Sequence, residues 1–138
     1  MERTISTNGI GEKIVTLYVD SATKTKLDAL TNGIPDEGLA VTLTGDNTVG
    51  FGTTADGAAA DVLFGLIKTY SGGETVGVQY VGFATEVKAK KPIAKGATIL
   101  TVTSAGEIST VSTGGTATNS IVIKAAVSSE LTVDILIR

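Results

Sequence analysis

The feature that most constrains this chain is the way its apolar runs are built and cut. Within a run the apolar side chains recur at every second position, and after a handful of residues the run stops at Gly, Asp, Asn or Ser. The closing segment shows it best. Leu131, Val133, Ile135 and Ile137 alternate with Thr132, Asp134 and Leu136. A period of two places one set on a buried face and the other on the opposite face, as only an extended strand does. The composition agrees: 22 Thr and 14 Val supply β-branched residues, and 17 Gly against two Pro and one Met supply turns without favouring long helices. The chain is therefore expected to be all-β, a small single-domain β-barrel or β-sandwich with at most one short helix and about nine strands. With 138 residues it has material for one core.

Along the chain, residues 1–12 read as an extended N-terminal arm and residues 13–138 as the β-domain. Lys13 to Val19 is the first strand, with Val15, Leu17 and Val19 on one face and Ile14, Thr16 and Tyr18 on the other. Thr23 to Leu30 is expected to form a single helical turn behind a Ser21 cap, with Leu27 and Leu30 sharing a face. A turn cluster from Asn32 to Gly38 leads into Leu39 to Leu43, and Gly45-Asp46-Asn47 reads as a hairpin turn returning through Thr48 to Phe51. Gly57 to Ala60 is expected as loop, followed by a strand from Val62 to Thr69. Ser71-Gly72-Gly73 then turns the chain into a strand from Glu74 to Val81, with a bulge or bend at Gly82. Residues 88–95, rich in lysine and broken by Pro92, read as a link between sub-parts 13–87 and 96–138. The two sub-parts share an outline at intervals of 57 or 58 residues. Two similar β-meanders account for that outline more readily than a decayed duplication.

The residue types present and absent narrow the chemistry. With no Cys and no His, the chain has no disulfide, no Cys or His nucleophilic dyad, no Ser-His-Asp triad and none of the usual nitrogen or sulfur ligands of zinc. No cofactor, no metal and no enzymatic activity are expected. A net charge of −3 offers no field for nucleic acid. No window has the apolar length of a transmembrane helix, and Met1 to Gly11 lacks the apolar core of a secretory signal, so a soluble setting without a membrane is expected. Gly50-Phe51-Gly52-Thr53-Thr54-Ala55 satisfies a relaxed dinucleotide pattern with Glu74 at the distance of a ribose-binding acid. Asp56 and Gly57 follow it with a turn where a phosphate-binding helix must start, so a glycine-rich hairpin end is the expected outcome. Asp36 with Glu37 and Asp46 with Asn47 offer oxygen ligands, but each pair sits where a turn uses such residues for its own backbone.

Lys88, Lys90, Lys91 and Lys95 form the one basic cluster. They suit a solvated link, contact with an acidic protein surface, or an exposed edge strand on which lysine discourages unwanted pairing. Leu136 falls on the face opposite Leu131, Val133, Ile135 and Ile137, where a neighbouring subunit would cover it. In the arm, Ile5 and Ile10 are the only aliphatic anchors, and the arm is expected either to add as a strand to a partner's sheet edge or to stay disordered, the two being equally weighted.

The order of glycine-framed segments resembles a known family. Asn32-Gly33-Ile34, Gly38-Leu39-Ala40-Val41-Thr42-Leu43, Gly45-Asp46-Asn47, Phe64-Gly65-Leu66-Ile67, Thr75 to Gly82, Ala94-Lys95-Gly96-Ala97, Ala125-Ala126 and Val133 to Ile137 resemble the small capsid cement, or head decoration, proteins of tailed bacteriophages. The resemblance implies a β-tulip or SH3-like barrel that binds the outer surface of the assembled head, commonly as a homotrimer. It also implies that the protein staples the major capsid protein lattice of the expanded shell against DNA pressure. The implied place is the virion surface, after synthesis in the host cytoplasm. No contact residue carries over from the family; from the arm, the basic cluster and the outer face of the last strand, the expected capsid or subunit interface residues are Ile5, Ile10, Lys88, Lys90, Lys91 and Leu136. The alternative is a structural adhesion or fibre β-module of a virion or cell surface.

Overall fold

The computed structural model describes residues 12–30 and 38–138. In chain order these form β1 (Lys13–Val19), α1 (Ser21–Asp28), β2 (Ala40–Gly45), β3 (Thr48–Gly50), β4 (Gly65–Tyr70), β5 (Thr75–Lys88), β6 (Thr101–Val102), β7 (Ile108–Ser109), β8 (Ser120–Lys124) and β9 (Thr132–Ile137). The protein is a small all-β barrel domain. Strands β1, β3, β2, β4 and β5 are hydrogen-bonded in that order, and β5 pairs back to β1, which closes a five-stranded barrel. All pairings in the ring are antiparallel except the short parallel one between β1 and β3.

The strand reading of β1 holds in detail: Ile14 and Tyr18 are exposed, while Val15 and Leu17 pack against the barrel core and Val19 is buried. The helix differs from expectation. It is two turns long, and its cap is Asp20, whose Oδ1 accepts from the Thr23 amide at 2.7 Å. Asp20 holds the extended backbone an N-cap requires, and Ser21 is already the first helical residue. Leu27 shares the buried face with Thr23, four residues earlier, and Leu30 lies beyond the helix, 40% exposed. Leu27 joins the barrel core with Val41, Val49, Ile67 and Val78, and Thr23 Oγ1 accepts from the Phe51 amide at 2.8 Å, so α1 is bound to the barrel through both residues.

The expected strand from Val62 to Thr69 is split by a corner. Val62 bridges to Thr101 and the Leu63 amide donates to Leu100 O, but the Phe64 amide donates to Val41 O. Within three residues the chain leaves β6 for β2. Gly65 allows the close approach there, because a Cβ at that position would lie 2.5 Å from the Gln79 carbonyl oxygen.

Strand β5 organises the molecule. Its first half pairs with β1 and β4 in the barrel, and its second half, from Gly82 to Lys88, pairs with β9. The bend falls at Gly82, whose φ of 123° is open to glycine and strained for other residues. Buried Gln79 spans this bend, its Nε2 donating to Val81 O at 3.3 Å. Glu86, with φ of 55°, marks a bulge where its amide donates to Asp134 Oδ1 at 2.9 Å.

Outside the barrel lies a second core. Adjacent residues of one wall divide between the two: Val41 and Ile67 point into the barrel, while Ala40 and Leu66 pack outward against Val102, Ile108, Val133 and Ile135. This outer core draws on residues from both sides of the 88–95 segment. That segment is itself part of the fold. Ala89 and Ile93 are buried, Ile93 pairs with Ala126, and the Gly96 amide donates to Val122 O along the outer side of β8. Of the residues expected on the inner face of β9, Val133, Ile135 and Ile137 are buried. Leu131 precedes the strand and is 37% exposed.

Candidate interaction surface

The basic cluster occupies the end of β5 and the turn after it. Lys88 is the last residue of the strand, in register with Thr132 of β9. The next two amides alternate between neighbours, Ala89 N donating to Leu131 O at 3.0 Å and Lys90 N to Ile108 O at 2.8 Å. The backbone is therefore hydrogen-bonded on both sides, and the edge-strand reading of Lys88 and Lys90 is corrected: these lysines protect no open edge. Their side chains are exposed, that of Lys91 is half-buried, and Lys95 is exposed in the following turn.

Lys88 also borders a groove of about 440 Å³ with Lys26, Leu30, Leu39, Phe51 and Glu107. Lys26 sits over the Phe51 ring, 5.9 Å from its centroid, and donates to Ser104 O at 2.8 Å. The fold thus adds Lys26, 62 positions away in sequence, to the same surface as Lys88. No local pattern relates the two residues, so sequence reasoning missed the pairing.

Leu136 is half-buried on the face of β9 away from the outer core. Its partners across the strands are Phe83 of β5 and Ile121 of β8, both also half-buried. Together they form an apolar row across three strands, with Ile123 of β8 45% exposed nearby in sequence. The sequence picked out Leu136 alone; Phe83 and Ile121 join it through register. Ile5 and Ile10 lie outside the described residues, as do Asp36 and Glu37.

The carboxylates and glycines that raised other chemistry have local work. Asp46 and Asn47 form the two-residue turn between β2 and β3, with Asn47 at φ 53°. Asp61 Oδ2 accepts from both the amide and the hydroxyl of Thr53 at 2.8 Å. The dinucleotide-like glycines are packing sites: a Cβ on Gly50 would lie 1.9 Å from Asp20 Oδ2, and one on Gly52 would lie 1.9 Å from Val102 O. No group of three or more metal-ligating side chains occurs among the described residues. No helix among them is long and apolar enough to cross a membrane.

One polar cluster ties α1 to the barrel. The Tyr70 hydroxyl donates to Asp28 Oδ1, and Lys24 Nζ donates to Asp28 Oδ2 at 3.1 Å, to the Tyr70 oxygen at 3.2 Å and to Gly72 O at 2.9 Å. Hydrogen bonds from Tyr70 and then Lys24 hold the Asp28 carboxyl below its ordinary value. Bonds to Tyr70 and Asp28 hold the Lys24 ammonium above its own. Burial, then the bond to Asp28, raises the Tyr70 phenol. Each group keeps its bonding form across the neutral range, and the arrangement acts as a clamp. No protein-family model matches the chain, and no curated protein matches it.

Proposed function

We propose that this protein is a capsid decoration protein of a tailed bacteriophage, which binds the outer surface of the assembled head and stabilises the expanded shell. The observation that supports this reading is the placement of the segments that carry the resemblance. Ala40–Gly45, Gly65–Tyr70, Thr75–Lys88 and Thr132–Ile137 become successive neighbours, β2-β4-β5-β9, of one continuous sheet. Four of the segments that carry the resemblance are thus neighbours in space. In this reading the protein is non-enzymatic and needs no cofactor. It works on the virion surface, having been made in the host cytoplasm, as a homotrimer that contacts several major capsid subunits at once and gains avidity from modest single contacts. Lys88, Lys90 and Lys91, with Lys26 beside Lys88, face acidic ground on the shell, and the Leu136 row meets a second copy. The arm carrying Ile5 and Ile10 adds to the shell.

Cosedimentation with expanded, undecorated heads tests the reading. Saturable binding at an integral number of copies per lattice point, with a raised disruption temperature of the heads, is the expected result. A folded protein that binds no head lattice overturns it and leaves the adhesion or fibre module.

A further inference from the structure

The outer face of the barrel wall formed by β1, β4 and β5 carries a groove of about 390 Å³, apart in sequence from Lys88, Lys90 and Lys91. Its floor is set by Gly77 of β5, which lies between Thr16 of β1 and Thr69 of β4 in the sheet register. A Cβ on Gly77 would stand 2.4 Å from Thr69 Oγ1 and 3.4 Å from Ile14 Cγ2. The groove therefore owes its depth to the missing side chain at this position.

Its walls present exposed hydroxyls from Thr16, Thr69, Ser71 and Thr75. Some threonine hydroxyls, those of Thr48, Thr53, Thr110 and Thr118 among them, bond to the chain itself. None of the four groove hydroxyls has such a partner among the described residues. Lys68, the one cation of the lining, is paired with Glu12 at 3.5 Å, and the Tyr70 hydroxyl is held in the clamp with Asp28. The groove thus offers many neutral donors and acceptors and little uncompensated charge. Exposed apolar groups of β1 neighbour its lining residues Thr75 and Gly77. Tyr18 pairs with Thr75 and is 56% exposed, and Ile14, near Gly77, is 51% exposed.

A ligand that matches this surface must have an apolar face for the ring and a hydroxylated edge for the threonines. It must also be uncharged, since a charged ligand would be desolvated without a free counter-charge. We infer that the groove binds a neutral oligosaccharide. Tyr18 stacks on the apolar face of a sugar ring, while Thr16, Thr69 and Thr75 exchange hydrogen bonds with its hydroxyls. This site is separate from the lysine surface and does not depend on shell binding.

Titration of the ¹⁵N-labelled full chain with maltotriose, cellotriose and tri-N-acetylchitotriose, followed by amide shifts, tests the inference, with 3′-sialyllactose as a charged comparison. Saturable shifts confined to residues 14–18, 68–71 and 75–77 are expected with at least one neutral probe. Tyr18→Ala should weaken that binding by about tenfold, the loss of one stacking contact of roughly 1.4 kcal/mol, with the melting temperature unchanged because the ring is exposed. Thr16→Lys, which lays a long side chain in the groove, should abolish it, while Tyr80→Ala, an exposed tyrosine outside the groove, should leave it intact. Absence of saturable shifts with all three neutral probes overturns the inference. So do shifts located elsewhere, binding of sialyllactose alone, or indifference to Tyr18→Ala.

Discussion

The barrel and the outer layer bury similar aliphatic side chains yet are held together differently. In the barrel, five strands satisfy one another around a closed ring, and the core of Val19, Leu27, Val41, Val49, Ile67, Val76 and Val78 sits within it. The outer layer joins the β5-β9-β8 ladder to two-residue strands in β6 and β7, isolated bridges at Val62, Ala89, Ile93 and Val127, and turn hydrogen bonds between them. Its core of Leu100, Val102, Ile108, Val122, Val133 and Ile135 is as fully buried as the barrel's. A closed ladder satisfies backbone groups by regularity, whereas short strands and bridges must satisfy them one at a time. The lesson is that strand regularity and core quality are separate properties. The layers are joined by β5, which serves both, and by the Ala40 and Leu66 side chains that turn outward from the barrel wall.

The sharpest way to break this comparison is to open a cavity on each side. Ile67→Ala in the barrel and Ile135→Ala in the outer layer remove fully buried side chains, and each should cost about 2–5 kcal/mol. Because β5 and Leu66 couple the cores, both variants should lower a single transition in denaturant titrations read by fluorescence of Tyr and by circular dichroism. Two separate transitions in Ile135→Ala would show that the barrel stands without its outer layer.

A smaller effect is expected at the seam. Gly52→Ala drives a Cβ into the backbone oxygen of Val102, so the 50–53 segment and β6 must separate. The cost should be about 1–3 kcal/mol, and faster amide exchange should appear first at Val102 and Thr103. Exchange that rises uniformly in both regions would mean that the seam is no weaker than the barrel.

The smallest effect belongs to the clamp on α1. Asp28 has its carboxyl held below 3.8, so its contribution is present above that value and is lost as pH falls through the lowered one. Lys24 and Tyr70 are held above 10.5 and 10.0, so their contribution is present below those values and is lost as pH rises through the raised ones. Tyr70→Phe should lower the melting temperature modestly and by a constant amount through the neutral range, with the difference from the parent shrinking at both extremes. A difference that changes between pH 5 and 8 would contradict this account, since no member of the clamp titrates there.

Much of the fold was legible in the sequence, for a local reason. Alternation at two-residue spacing is imposed by the backbone of a single strand, so the faces of Lys13–Val19, the hairpin at Asp46-Asn47 and the inner face Val133, Ile135, Ile137 could be read without knowing their neighbours. Leu136 could be placed on the opposite face for the same reason. The helix was legible in place and misread in detail, because Asp20 and Ser21 are both good caps and only the backbone angles distinguish them. The packing of the 88–95 segment was not legible, because lysines and Pro92 mark it as polar while Ala89 and Ile93 are the residues that pack.

What the sequence by itself determined is therefore the set of strands, their faces and most of their turns, since these follow from φ, ψ and side-chain alternation along a few residues. Only the tertiary structure decided that β5 runs on through Gly82 into a second layer, that Lys26 meets the surface of Lys88, that Phe83 and Ile121 flank Leu136, and that Tyr18 pairs with Thr75, a lining residue of the groove over Gly77. Each of those depends on which strands pair and in what register. Pairing is selected by long-range packing of interchangeable aliphatic side chains, and no short stretch of sequence records it.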